Sequence, residues 1–298
     1  MPKESARAAV LDVGCFSAHL VVVEDGPGLR SPVFSHKVRL RLDTAIDATG
    51  RIEPAGIDRI ADAVRESTER LDDSDVSLFV PYATSCVRDS VNVGEVIAAV
   101  ADRTGLRLRL LSGEREAYLS YVAAWRWFDP VRPLAVLDIG GGTVELAVGS
   151  TARPRFTRSL PLGARTLSRA GLDDRDRVPA MRAQLPRRIG AALPDDVLAE
   201  FRLSHAVGCS KVFRQLAKLA GTRQLYRADL ETWIPRLAEL SPRRRAELRG
   251  ISRHRARQSL AGAVVAEALM RATGHDVIDI CPWSTKEGLL LRLLRTAR

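Results

Sequence analysis

Two stretches of the chain, set 126 residues apart, follow one pattern. "VLDVGCFSAHLVVV" begins at Val10 and "VLDIGGGTVELAVG" begins at Val136. At that offset Asp12 meets Asp138, Gly14 meets Gly140, Ser17 meets Thr143, Leu20 meets Leu146 and Val22 meets Val148. Each stretch reads as an apolar strand, an aspartate, a glycine-containing turn, a hydroxyl and a second apolar strand. A motif that restarts in mid-chain predicts two like halves. A chain of 298 residues is long enough for two domains with a sizeable core.

The remainder alternates strand and helix. "PAGIDRIADAVRESTERL" spaces Ile57, Ile60, Ala61, Val64 and Leu71 along one helical face, with Pro54 near its start. "VSLFVPYA" is a buried strand, and "VGEVIAAVADRTG" is a helix closing at Gly105. Strict alternation makes 106–111 a half-buried strand. Ser112 is a good N-cap for a helix through "GEREAYLSYVAAWRWF", which "DPVRP" breaks. In the second half "RFTRSLPLG" is a third strand, 175–200 is helical with mixed polarity, and "HAVGCSKVFRQLAKLAG" is strand, turn and helix. "RQSLAGAVVAEALMRATG" is an amphipathic helix ending at Gly274, "DVIDICP" a strand and "TKEGLLLRLLRT" a last helix. That order predicts an α/β protein with helices covering mixed sheets.

A net charge of +10 favours polyanionic partners: nucleic acid, nucleotide or polyphosphate. The basic residues are nearly all arginine, which is also what compositional bias in a GC-rich genome produces. Cys15, Cys86, Cys209 and Cys281 are scattered without a CxxC, and the five histidines are isolated, so neither a disulfide framework nor a zinc site is expected. No apolar run reaches the ~18 residues of a membrane span, and the N-terminus reaches its first strand without a signal-peptide core. A cytoplasmic protein with no membrane partner is expected.

A turn without Cβ atoms lets backbone N–H groups converge on an anion such as phosphate. Two such turns facing one another across a cleft would clamp a phosphate chain from both sides. Phosphate repels bare carboxylates, so Asp12, Asp138 and Glu145 make sense there only with a cation between, and Mg2+ suits hard oxygen ligands. A single copy would read equally as a hairpin whose strand-end acids face water.

"LDVGCFSAHLVVVE", "ATSCVRDSVN", "LSGEREAYLSY", "LDIGGGTVELAVG", "SLPLGARTLS" and "CPWSTKEGLLL", in that order, resemble the exopolyphosphatase / guanosine pentaphosphate phosphohydrolase family. The resemblance is nearest to its short two-domain actinobacterial members. It implies an α/β fold of two ribonuclease-H-like domains, of the actin and acetate-kinase superfamily, around an interdomain cleft. The domains are expected at 1–118 and 119–298, with the terminal helix packing back toward the first. It implies release of terminal phosphate from inorganic polyphosphate, or from guanosine pentaphosphate, with Mg2+ or Mn2+. It implies no dedicated nucleic-acid site and is compatible with a homodimer. Asp12, Gly14 and Cys15 fall at the family's first phosphate turn. Gly140, Gly141, Gly142 and Thr143 fall at the second, where Asp138 and Glu145 match the metal positions. Arg88 matches a phosphate-facing arginine, Glu116 the general base for the attacking water, and Gly208, Ser210 and Lys211 a third turn.

The chain departs from the family pattern at several positions. Cys15 and Phe16 stand where the first turn usually has Ser and Asn, Arg115 where the residue before the base is usually acidic, and Val144 where Thr is common. The stretch 241–258 carries seven arginines against Glu247, with Arg257 at an often acidic place. It reads as a solvated loop and helix start, or as a basic track for a long polyanion. These departures define the alternative expectation, a family member that binds polyphosphate or a guanosine nucleotide without turnover. A sugar or acetate kinase of the same fold is a third, with no nucleotide-base pocket evident in the sequence.

Overall fold

The computed structural model describes residues 7–25, 31–71 and 76–296. The first six residues, read above as lacking a leader, lie outside them. The chain divides into two compact units, 1–112 with 286–298, and 113–285.

The first unit opens with β1 (Arg7–Val13), β2 (Ser17–Glu24) and β3 (Phe34–Arg39), followed by α1 (Pro54–Glu69) and β4 (Leu78–Ala83). A short α2 (Ser85–Arg88), α3 (Val93–Thr104) and β5 (Arg109–Leu110) complete it. The strand order is β3-β2-β1-β4-β5, with β1, β2 and β3 antiparallel and β4 and β5 parallel to β1. Strand β3, absent from the strands expected above, alternates half-buried Phe34, His36 and Val38 with exposed Ser35, Lys37 and Arg39 and pairs with β2 at the sheet edge. Strand β5 is shorter than its 106–111 pattern, because only Arg109 and Leu110 pair with β4. Pro54 starts α1 and Gly105 closes α3 in the left-handed conformation, as their positions foretell.

The second unit begins with α4 (Gly113–Phe128), one residue after Ser112, then β6 (Leu134–Ile139), β7 (Val144–Gly149) and β8 (Phe156–Leu160). Next come α5 (Ala164–Leu167), α6 (Val178–Ala191), α7 (Asp195–Leu203), β9 (His205–Gly208), α8 (Lys211–Ala220), β10 (Gln224–Tyr226) and α9 (Arg227–Glu239). The elements α10 (Pro242–Arg245), α11 (Ser259–Thr273) and β11 (Val277–Ile280) finish it. The last helix, α12 (Thr285–Thr296), groups with the first unit from Lys286 onward. The strand order is β10-β11-β9-β6-β7-β8.

The repeat survives as register. Asp12 pairs with His19 across β1 and β2, and Asp138 pairs with Glu145 across β6 and β7, the same offset in each hairpin. Both hairpins close with the same bond, Gly14 N–H to Ser17 O at 3.1 Å and Gly140 N–H to Thr143 O at 2.9 Å. In both units the first strand of the antiparallel trio, β1 or β6, then pairs in parallel with a later strand, β4 or β9. Two sheets of this order are the ribonuclease-H-like α/β halves expected from the sequence.

Strands β6 and β7 are buried along their whole length, and their apolar runs are interrupted only by the buried Asp138 and Glu145. Helix α11 is apolar on nearly every side and runs through the core with Leu260, Val264, Val265 and Leu269 fully covered. In the first unit the core gathers Leu11, Val13, Leu20, Leu42, Ile60 and Val96, and it includes Phe16. The Phe16 ring is 8% exposed, so this departure from the family turn is a packing residue. Phe16→Ala is expected to cost about 3–5 kcal/mol, the loss of a buried ring. Urea unfolding checks this, since a ring lying on the surface would cost less than about 0.5 kcal/mol.

Candidate active site

In each unit the segment leaving the third strand caps the turn of the first hairpin. In the second unit Gly163 N–H donates to Gly142 O, Ala164 N–H to Gly140 O, and the Arg165 and Thr166 amides to Gly141 O, at 2.9–3.1 Å. The Thr166 hydroxyl adds a bond to Gly142 O. All three glycine carbonyls are therefore turned toward the start of α5. Among the described residues the amides of Gly141 and Gly142 donate to no protein acceptor. The close approach requires Gly163, because a Cβ there would lie 2.4 Å from the Gly142 carbonyl carbon and 2.5 Å from Gly141 O. In the first unit Leu42 N–H donates to Cys15 O at 2.7 Å, and the Leu40 and Arg41 amides donate to Phe16 O. The Cys15 side chain is buried in the core, so only its backbone is available to a ligand at this turn.

Asp138 and Glu145 face each other across β6 and β7 and are both buried. Directly opposed residues share one face of a sheet with Cβ atoms about 5 Å apart. Each carboxylate accepts a hydroxyl bond, Asp138 Oδ2 from Ser120 at 3.1 Å and Glu145 Oε1 from Ser159 at 3.0 Å. Glu145 Oε2 lies beside the glycine turn, 3.9 Å from where a Cβ on Gly140 would stand. Two adjacent buried carboxylates oriented by hydroxyls are a donor set that fits a hard divalent cation. Among the described residues no group of three or more His, Cys, Asp and Glu is arranged for a metal ion. A cation here would therefore complete its shell with water and phosphate oxygens, as Mg2+ commonly does.

Glu116 is buried on α4, one helical turn before Ser120. Residues four apart share a helix face, so Glu116 and the hydroxyl that holds Asp138 lie on one side of α4. Arg115 points elsewhere, its guanidinium 5.0 Å from the centre of the Tyr118 ring. The third turn follows β9, where Gly208 stands opposite Leu137, next to Asp138, and Cys209 N–H donates to Leu137 O. Ser210 caps α8 by accepting from Phe213 N–H, and Lys211 is exposed at the first helical position.

In the first unit Asp12 is the penultimate residue of β1 and is half-buried. Desolvation pushes its pKa up from the ordinary 3.8 to about 6, against the lowering influence of Lys286 and with a further rise from Glu287. Arg88 lies in α2 just after β4. Its Nε and Nη2 donate to Asp89, and its Nη1 donates to the Leu111 carbonyl at 2.7 Å.

The sequence-predicted residues thus fall into two groups. Asp12, Gly14, Cys15 and Arg88 cluster at the strand ends of the first unit. Asp138, the Gly140–Thr143 turn, Glu145, Glu116 and the Gly208–Lys211 turn cluster in the second. Sequence reasoning missed Ser120, Ser159 and Gly163. The available signal for Ser120 was a polar residue inside the apolar face of α4, four residues after Glu116.

These features define a phosphate-handling α/β protein, with two glycine turns and a carboxylate pair suited to a divalent cation. Residues 21–297 match the Ppx/GppA phosphatase family. Exopolyphosphatase 1 of Mycobacterium leprae (strain TN) is 38% identical, covering 97% of this chain and 89% of that protein. Exopolyphosphatase 1 of Mycobacterium tuberculosis (strain H37Rv) is also 38% identical, over 97% of this chain and 88% of its own length. A crystal structure of an exopolyphosphatase from Cytophaga hutchinsonii superposes with a TM-score of 0.83 at 21% identity, covering 97% and 98% of the two chains. The Aquifex aeolicus Ppx/GppA family member gives 0.81 at 21% identity, over 98% and 99%. The chain belongs to the Ppx/GppA phosphatase family, and its fold is the one those structures share.

The raised pKa of Asp12 has a signed consequence for stability. A carboxyl that titrates higher in the folded state favours folding below its unfolded pKa, and that advantage is lost as pH rises from about 4 to about 6. Asp12→Asn is therefore expected to stabilise the metal-free protein by on the order of 2 kcal/mol at pH 7.5. The gain should vanish at pH 4. Thermal unfolding across that range measures it.

Proposed function

We propose that the protein is a metal-dependent exopolyphosphatase that hydrolyses the terminal phosphoanhydride bond of inorganic polyphosphate. The observation that carries this reading is the second turn: two unengaged glycine amides beside a buried carboxylate pair. Converging amides select an anion, and adjacent carboxylates select a cation. A metal-bound phosphate chain satisfies both. The relatives named as exopolyphosphatases at 38% identity, matched over most of their length, support the same substrate.

Roles follow by unit. In the first unit the Cys15 amide binds phosphate at a turn that Gly14 keeps open to a ligand, Asp12 stands near the end of the strand beside it, and the Arg88 fork neutralises phosphate oxygens. In the second, the Gly141 and Gly142 amides hold phosphate in the turn that Gly140 and Thr143 close, and Ser210 and Lys211 add a hydroxyl and a charge at the end of β9. Asp138 and Glu145 would hold Mg2+ or Mn2+, which supplies charge neutralisation at the phosphate oxygens. Glu116 takes a proton from the attacking water. The water oxygen bonds to the terminal phosphorus in line with the bridging oxygen, whose bond breaks, and the shortened chain leaves with that oxygen. The same chemistry would release the terminal phosphate of guanosine pentaphosphate.

Phosphate release from polyphosphate with Mg2+ or Mn2+ tests the assignment, with guanosine pentaphosphate assayed alongside. EDTA should abolish turnover. Glu116→Gln should lower kcat by about 10²–10⁴ while leaving polyphosphate binding intact, the usual contribution of a positioned base. Equal rates in wild type and variant would remove Glu116 from the mechanism. Binding without release in the wild type would leave a non-catalytic binder. Ser159→Ala should weaken Mn2+ binding by about tenfold or more, through loss of the hydroxyl that orients Glu145. Titration of the resting protein, without substrate, reads this directly.

A further inference from the structure

The sequence left open whether the arginines of 241–258 are a solvated face or a track, and the structure sorts them. Arg245 is buried, its Nε donating to the Leu237 carbonyl at 2.8 Å, with Asp173 3.5 Å from Nη1. Arg244 pairs with Glu247, and Arg257 with Asp173. Arg249 and Arg253 are exposed and, among the described residues, have no carboxylate partner.

Their place is fixed by α8. Gly250, at φ 90°, rests on that helix so closely that a Cβ would stand 2.9 Å from Gln215 O and 3.0 Å from Leu219 N. Gln215 Nε2 then donates to Ser252 Oγ at 2.7 Å. Arg249 and Arg253 therefore flank the two residues that lie on α8. The helix itself is basic along one face, because Lys211, Arg214 and Lys218 recur at i, i+3 and i+7. The helix starts at the third turn, directly after Ser210. A side chain on a helix leans toward the N-terminus, which carries Arg214 back toward Ser210 and Lys211. Arg214 Nε is buried and has no hydrogen-bond partner among the described residues.

We propose that Lys211, Arg214, Lys218, Arg249 and Arg253 form a lane along α8 that binds the distal phosphates of a long polyphosphate chain, so that the enzyme favours long chains over short ones. This rests on the polyphosphate reading above. Seven residues of α8 carry the lane about 10 Å from the third turn. Short oligophosphates would end at the turns and Lys211, short of Lys218, Arg249 and Arg253. A repeating anion matches a row of cations without any need for base contacts, and counterion release makes such binding steeply dependent on salt.

The test compares wild type with Arg249→Ser/Arg253→Ser on tripolyphosphate and on chains of several hundred phosphates. The double variant should raise KM for long chains about tenfold and leave kcat and the tripolyphosphate KM unchanged. Binding of labelled long polyphosphate to the EDTA-treated protein should weaken in parallel. Its log–log salt slope should fall by about one per arginine removed. Circular dichroism confirms the fold, which these exposed positions should not disturb. Unchanged long-chain KM and salt slope would overturn the lane, and so would an equal loss on both substrates. A wild type that releases no phosphate from either chain length would instead overturn the exopolyphosphatase reading, while the salt-dependent binding would still report on the lane.

Discussion

The capture of hairpin carbonyls by the chain leaving the third strand is the contact on which the rest of the site depends. A glycine turn has both polarities of backbone group, and left alone it would present carbonyls and amides together to a phosphate. Here the residues after β8 take the carbonyls of Gly140, Gly141 and Gly142, and the residues after β3 take those of Cys15 and Phe16. Such a sorting of polarity is what an anion site built from a flexible turn would need. It occurs at the equivalent place in both units, after the same third strand, so the repeat extends further than the matching letters of the sequence.

The two units then diverge in what they add. Glu145 stands opposite Asp138 in the second unit, whereas its counterpart opposite Asp12 is His19. Only the second hairpin therefore has two facing carboxylates. The first has a single aspartate whose burial raises its pKa, and a core ring where the family usually has a polar residue. Phe16 costs the ligand side little because its side chain is turned into the core while its carbonyl is held by Leu40 and Arg41. Val144 likewise is fully buried in the second core. Arg115 sits over Tyr118, one position away from Glu116 and so on a different side of α4. The departures in the sequence are thus absorbed by packing and leave the buried carboxylates of the second unit in place.

Helix α4 links Glu116 to the carboxylate pair. Ser120 reaches Asp138 from one turn beyond Glu116. At the helix start Gly113 passes so near Ser159 that a Cβ would stand 2.2 Å from its hydroxyl oxygen, and that hydroxyl holds Glu145. One helix therefore sets the position of Glu116 and also approaches both hydroxyls that orient the carboxylates. A shift of α4 would disturb all three acids together.

The sequence by itself determined most of the strands, the two aspartate hairpins, their offset and the Pro54, Gly105 and Gly274 helix boundaries, because period, turn chemistry and caps are local. It also carried the family motifs with the residues placed in the site. It did not give β3 or β10, edge strands placed by pairing with β2 and β11. Nor could it reveal Ser120, Ser159 or Gly163, whose importance lies in what they touch across long sequence separations. The arginines of 241–258 are the clearest case, being alike as letters. Only the seating of Gly250 on α8 and the burial of Arg245 separate a structural cation from exposed ones, since burial and proximity are properties of the packed chain.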